Sequence, residues 1–302
     1  MLALGANLLI AAAKLASGLY SGSTALLAEA AHSLADAANE VLLGISLRRA
    51  AAPPDELHPL GHGRERFLWA FLAAMATFII GGCYSVAIAI QHLLKPEKTG
   101  HGTAAWIVLA VAFVLDGISL LQGLSQARDE AGERQLTLSQ YFRHSSDPTV
   151  RAVVMEDGAA LVGLVIAAAG LLLSQRLGSG RPDAVASLLI GVLMAATGVV
   201  LALNLADFLV GKSLPPPRLE ELQRLIDADD AVEELVSLQA VYIGPEEVVV
   251  AAKIRPSPEL DAAQLGQAMD ALDRALRDAS PYVADVYIDV TAHRRNDGDD
   301  HG

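Results

Sequence analysis

Apolar residues run almost unbroken through six stretches of the first two thirds of the chain, at about 1–20, 24–48, 67–94, 104–126, 150–174 and 184–210. Each supplies the roughly 20 mainly apolar residues that a helix needs to cross a bilayer. The third and sixth exceed that length and are expected to tilt or overhang. Beyond "GKSLPPP" the period changes. Residues 217–228 predict a helix, and "LVSLQAVYIG" and "EEVVVAAKIRP" predict two strands joined at Gly244-Pro245. "LDAAQLGQAMDALDRALRDA" is amphipathic at helical period, and "ADVYIDVTA" predicts a last strand.

The order helix–strand–strand–helix–strand suits a small α+β sandwich of ferredoxin-like type. The expected fold class is a mainly α membrane protein, a six-transmembrane-helix bundle followed by that α+β domain. The expected boundaries are 1–211 for the bundle, 212–292 for a cytoplasmic domain and 293–302 for a disordered tail. The first stretch begins at Met1 without a basic n-region, and Asn7 and Lys14 interrupt it. It reads as a transmembrane helix and not a signal peptide. It is either complete or short of a cytoplasmic lead-in.

Composition agrees. Of 302 residues, 53% are hydrophobic, above the ~45–50% of an ordinary soluble domain. The net charge is −13, and most of it falls after residue 211, where nine Lys and Arg face nineteen Asp and Glu. An acidic surface argues against nucleic acid as a partner. The single cysteine, Cys83, forbids an intrachain disulfide and disfavours a Cys-based zinc site. It reads as a packed hydrophobe. Basic residues set the orientation. Arg48, Arg49, Arg64 and Arg66 follow the second segment, and Arg128, Arg134, Arg143 and Arg151 follow the fourth. The other loops hold only Lys95 and Lys98, then Arg176 and Arg181. Both termini are expected in the cytoplasm, the protein lying in a bacterial inner (plasma) membrane.

The second segment carries Glu29, His32, Ser33, Asp36 and Glu40 on one stripe, since residues three and four apart share a helix face. Ionisable groups in hydrocarbon are expensive and typically face a bundle interior or a wet cavity. His32 and Asp36 are good ligands for zinc and similar cations. Two ligands do not make a site, so a second helix must contribute, and segment five offers Glu156 and Asp157 in "VVMEDGAALVG". Asp116 in "FVLDGISLL" reads as a proton carrier or a polar contact between helices. A second constellation, Asp55, His58 and His62 in "DELHPLGHGRERF", spaces three ligands three and four apart beside Gly61 and Gly63. No HExxH-type motif, nucleophile–base pair or P-loop appears, so neither an enzyme nor an ATP-driven pump is expected.

At these residues the chain resembles the cation diffusion facilitator (zinc-transporter) family over nearly its whole length. "SGSTALLAEAAHSLADAANEVLL" is similar to the family's second helix with its HSxxD motif, "HPLGHGRERF" to the loop opening the third, and "PDAVASLLIGVLM" to the start of the sixth. The resemblance implies a homodimer that exports divalent metal in exchange for protons. It carries His32, Asp36 and Asp157 over as transport ligands, and Asp55, His58 and His62 as a second metal site. It also puts a ligand at Val153, which cannot bind metal; Glu156 or water would complete the shell. The Glu-Asp pair resembles the zinc transporter 9-like branch. The family's dinuclear site in the cytoplasmic domain is expected to be absent, since "VVVAAKIRP" has no His and the last strand offers only Asp289, with His293 beyond it.

Metal ligands must be deprotonated, so protonation expels the ion, and an unperturbed imidazole titrates near pH ~6.5. No cofactor is implied beyond the metal. Zinc suits the single membrane imidazole, with manganese, iron, cobalt and cadmium also possible. The rival reading is a membrane-bound metal sensor or scaffold that binds metal and moves nothing.

Overall fold

The computed structural model describes residues 2–95, 103–133, 137–144, 148–245 and 247–292. The tail at 293–302, with His293, lies outside them. Two compact units emerge, one from residues 1–52 and 65–206, the other from Pro53–Arg64 together with the chain from Asp207 on.

The first unit is helical. α1 (Leu2–Ser21) turns at Gly22, at φ +67°, into α2 (Thr24–Ala50), whose N-cap Ser23 accepts from the Leu26 N–H. α3 (Glu65–Ala76) continues through a π-helical stretch, Thr77–Cys83, into α4 (Tyr84–Leu94). α5 (Thr103–Glu133), a short α6 (Leu138–His144), α7 (Pro148–Leu177) and α8 (Arg181–Val210) complete it. Among the described residues four spans are long and apolar enough to cross a membrane: Glu65–Leu94, Thr103–Gly132, Val150–Leu177 and Arg181–Val210. The stripe of Glu29, Asp36 and Glu40 is what sets α2 apart from them in hydropathy.

Small residues let these helices meet at backbone distance, as membrane packing requires. A Cβ on Gly198 would fall 2.7 Å from the Phe78 amide nitrogen, and one on Gly82 would fall 2.7 Å from the Ala195 Cα. The π-helical stretch is thus held against α8. Cys83 at its end is exposed and not a packed hydrophobe as expected. Ala25, Leu26, Leu109, Leu164, Leu171, Ile190 and Met194 form a core shared by α2, α5, α7 and α8. Asp183, buried near the start of α8, accepts from Ser23 Oγ at 2.7 Å, Thr24 Oγ1 at 2.8 Å and the backbone N–H groups of Thr24 and Ala25. It satisfies orphan donors at the α2 N-terminus, where the helix dipole favours an anion.

The second unit follows the order expected from the sequence. α9 (Pro216–Asp227), β1 (Val232–Gly244), β2 (Glu247–Pro256), α10 (Ala262–Ala279) and β3 (Val283–Val290) form a three-stranded sheet in the order β1-β2-β3. β1 and β2 are antiparallel, β2 and β3 parallel, the crossover passing through α10. Val248, Val250, Ala252 and Ile254 alternate inward along β2 and are buried with Leu222, Ile226, Leu272 and Leu276 of the two helices. Asp261 and Gln264 form a capping box that starts α10. Asp289 lies on β3, 3.4 Å from Lys253 Nζ.

Candidate metal centre

His32 and Asp36 stand one turn apart on α2, with Nε2 3.4 Å from Asp36 Oδ2. His32 is 1% exposed, and neither of its ring nitrogens has a hydrogen-bond partner; nor has Asp36 Oδ1. Buried polar atoms are ordinarily paired. An imidazole with two orphaned nitrogens beside an orphaned carboxylate oxygen is a donor set suited to a divalent ion.

The acids of α7 diverge, as adjacent helical positions must. Glu156, buried, accepts from Thr77 Oγ1 at 2.9 Å and from the Asn39 amide, and so ties α7 to α2 and the π-helical stretch. Asp157 turns the other way and accepts from Ser119 Oγ of α5 at 2.7 Å. Val153 of α7, one turn before it, packs toward Gly123 of α5. Asp36 and Asp157 lie within electrostatic reach of each other. Yet His32, Asp36, Glu156 and Asp157 do not draw three ligand atoms into one tight group, because Ser119, Asn39 and Thr77 hold the α7 carboxylates aside.

The loop does form such a group. Among the described residues Asp55, His58 and His62 alone bring three ligand atoms within 4.8 Å of one another. Asp55 Oδ1 accepts from the N–H groups of His58 at 2.7 Å and Leu57 at 2.9 Å, and lies 3.1 Å from His58 Nδ1. Oδ2 lies 3.1 Å from His62 Nε2. The His58 N–H, with the two imidazoles and the Leu57 N–H, outweighs partial desolvation and lowers the Asp55 carboxyl to about 2. A depressed carboxyl supports the folded loop above the ordinary value near ~3.9 and loses that support as pH falls toward the lowered one. At physiological pH Asp55 is ionised and ready as a ligand. Gly61, at φ +80°, allows the turn, and a Cβ on Gly63 would meet the Ile243 carbonyl oxygen at 2.6 Å. Only glycine lets this loop lie so close to the β1–β2 turn.

One charged group went unread in the sequence except as an interruption. Lys14 of α1 is fully buried and donates to Glu29 Oε2 at 3.1 Å and Ser33 Oγ at 2.9 Å, with Asp116 Oδ2 at 3.8 Å. Its signal was available, because an ionisable residue inside an apolar run demands a partner. Asp116 therefore makes a polar contact between helices, one of the two roles expected of it.

Residues 1–210 match the cation efflux transmembrane domain. The chain belongs to the cation efflux family. Members of this family are transporters, not enzymes. This cation efflux chain is 30% identical over 243 residues to metal tolerance protein C4 of Arabidopsis thaliana, covering 80% of the chain and 53% of that protein. It is 32% identical over 241 residues to the mitochondrial proton-coupled zinc antiporter SLC30A9 of Xenopus laevis, covering 80% and 43%. The manganese efflux system protein MneP of Bacillus subtilis is 24% identical over 247 residues, covering 80% and 77%. The chain spans about half the length of the first two relatives. These similarities support the SLC30A9-like branch expected from the Glu-Asp pair.

Proposed function

We propose that this chain is a proton-coupled antiporter that moves divalent metal out of the cytoplasm, with zinc as the principal substrate and manganese, iron, cobalt and cadmium as other candidates. The observation that carries this reading is the buried His32–Asp36 pair with its orphaned nitrogens and oxygen, set in a family of metal transporters. Relatives named as a zinc antiporter and a manganese efflux protein support it.

In the inward-open state, neutral His32 with ionised Asp36 and Asp157 takes up the ion, and Asp157 leaves Ser119 to do so. The bundle then opens outward and protons evict the metal, because protonated ligands cannot hold it. Glu156 keeps α7 against α2 and joins the ion only by giving up Asn39 and Thr77. The reading takes α1 and α2 as spans beside the four more apolar ones, making six, with both termini in the cytoplasm of a bacterial inner membrane. It takes 1–211 as the membrane domain and 212–292 as a ferredoxin-like domain through which two copies dimerise by packing.

Flux of a panel of divalent ions into liposomes carrying the full chain, with and without a pH gradient, tests the proposal. Zinc flux that grows with an opposing proton gradient is expected. Metal binding without flux would favour the sensor or scaffold instead.

Asp55, His58 and His62 form the second metal site in this reading. The double variant His58→Ala/His62→Ala is expected to bind one zinc ion fewer per chain in equilibrium dialysis. Unchanged stoichiometry sinks that site.

A further inference from the structure

The lysine in α1 sits where a metal transporter least needs a positive charge. Lys14 has no exposed surface, and neither has Glu29. Its ammonium draws on two helices besides its own, through Glu29 and Ser33 of α2 and Asp116 of α5. A fourth helix closes the cluster, since a Cβ on Gly163 of α7 would fall 2.5 Å from Glu29 Oε1. That oxygen has no hydrogen-bond partner. Lys14, Glu29 and Asp116 all act electrostatically on His32, and all three together with Asp157 act on Asp36. The cluster, assembled from α1, α2, α5 and α7, thus shares its field with the helix-two ligand pair, since Ser33 stands next to His32 on α2.

A buried ion pair is a poor source of stability, because desolvation offsets most of the attraction. Breaking one by removing a partner is costly, so the pair persists once built. A fixed ammonium here does something an apolar residue would not. It neutralises carboxylate in the metal-free site, and it repels a divalent ion that enters.

We infer that Lys14 is a tethered cation of the transport site, which holds Glu29 and Asp116 in the metal-free state and competes with the incoming divalent ion for their field. The ion then binds less tightly and leaves faster than the carboxylates alone would allow. Lys14 is a positioning residue in this scheme and never touches the metal. The inference rests on His32 and Asp36 being the transport ligands.

The test uses the full chain in liposomes with zinc as the probe, comparing Lys14→Gln, Lys14→Arg and Asp36→Ala with wild type. Glutamine keeps donors for Glu29 and Ser33 while removing the charge. Lys14→Gln is expected to lower KM for zinc by about tenfold or more and to lower kcat as release slows. Lys14→Arg is expected to stay close to wild type in both. A merely structural lysine would reduce kcat or yield without lowering KM, and that result, or wild-type values for Lys14→Gln, overturns the inference. Should Lys14→Gln fail to fold, a structure of the wild-type chain with zinc decides: Lys14 Nζ is expected to have withdrawn from Asp116, and an unchanged contact overturns the idea. A dead Asp36→Ala beside an unaltered Lys14→Gln rejects only the role of Lys14. An active Asp36→Ala rejects the site reading itself.

Discussion

Asp36→Ala is expected to abolish proton-driven zinc uptake into inside-out vesicles while the protein still folds and inserts. The two halves of that result have separate physical grounds. Asp36 touches His32 at 3.4 Å and leaves its other oxygen unpartnered, so truncation orphans no donor that was satisfied before. Removing a carboxylate from the protein interior also removes the cost of keeping it out of water. Melting of the detergent-solubilised variant should therefore match or exceed wild type. Function fails for a different reason. Groups that merely orient metal ligands cost 10–100-fold in affinity when removed, so loss of a ligand itself should take flux below about one per cent. Normal transport by this variant would reject the site. A variant that neither folds nor transports would show Asp36 to be part of the scaffold.

The long helices were legible because an unbroken apolar run needs no fine pattern to be recognised. The sheet domain was legible for the opposite reason: the alternation of Val248, Val250, Ala252 and Ile254 inward along β2 is a strict period of two. Three features escaped. α6 is short and polar, and it is held by burial of Tyr141, whose hydroxyl donates to Glu130 at 2.5 Å. The π-helical stretch Thr77–Cys83 has no propensity signature. It is set by contacts that only the tertiary fold creates, with α8 at Gly82 and with Glu156 at Thr77. Asp183 lay within a stretch matched to the family pattern, but its role as a cap on α2 needs two segments far apart in the chain to meet.

The candidate site divides along the same line. Asp55, His58 and His62 of the loop converge because spacing within one turn-rich segment almost dictates their approach. The α2 pair does so because i and i+4 share a face. The α7 acids do not, since sequence shows that Glu156 and Asp157 point about 100° apart but not which helix each will meet.

That divergence carries the second large expectation. Glu156→Ala should lower both stability and flux, whereas Glu156→Gln should keep most of the stability and part of the flux. In alanine the Asn39 amide loses its acceptor, and the Thr77 hydroxyl keeps only the Ala73 carbonyl oxygen at 3.4 Å. The orphaned Asn39 donor costs about 1–3 kcal/mol, and no water is at hand in the bilayer core to replace the bond. Melting in detergent should show the loss directly. Glutamine keeps one acceptor oxygen, so one of the two donors stays satisfied and α7 stays in place. Its flux should fall by roughly tenfold, the effect of loosening a group that orients the ligands. If Glu156 were instead the ligand that replaces Val153, the pattern would invert: Glu156→Gln would fold like wild type and be as inactive as Asp36→Ala. Melting temperature and zinc flux measured on the same two variants separate a carboxylate that clamps three helices from one that holds the ion.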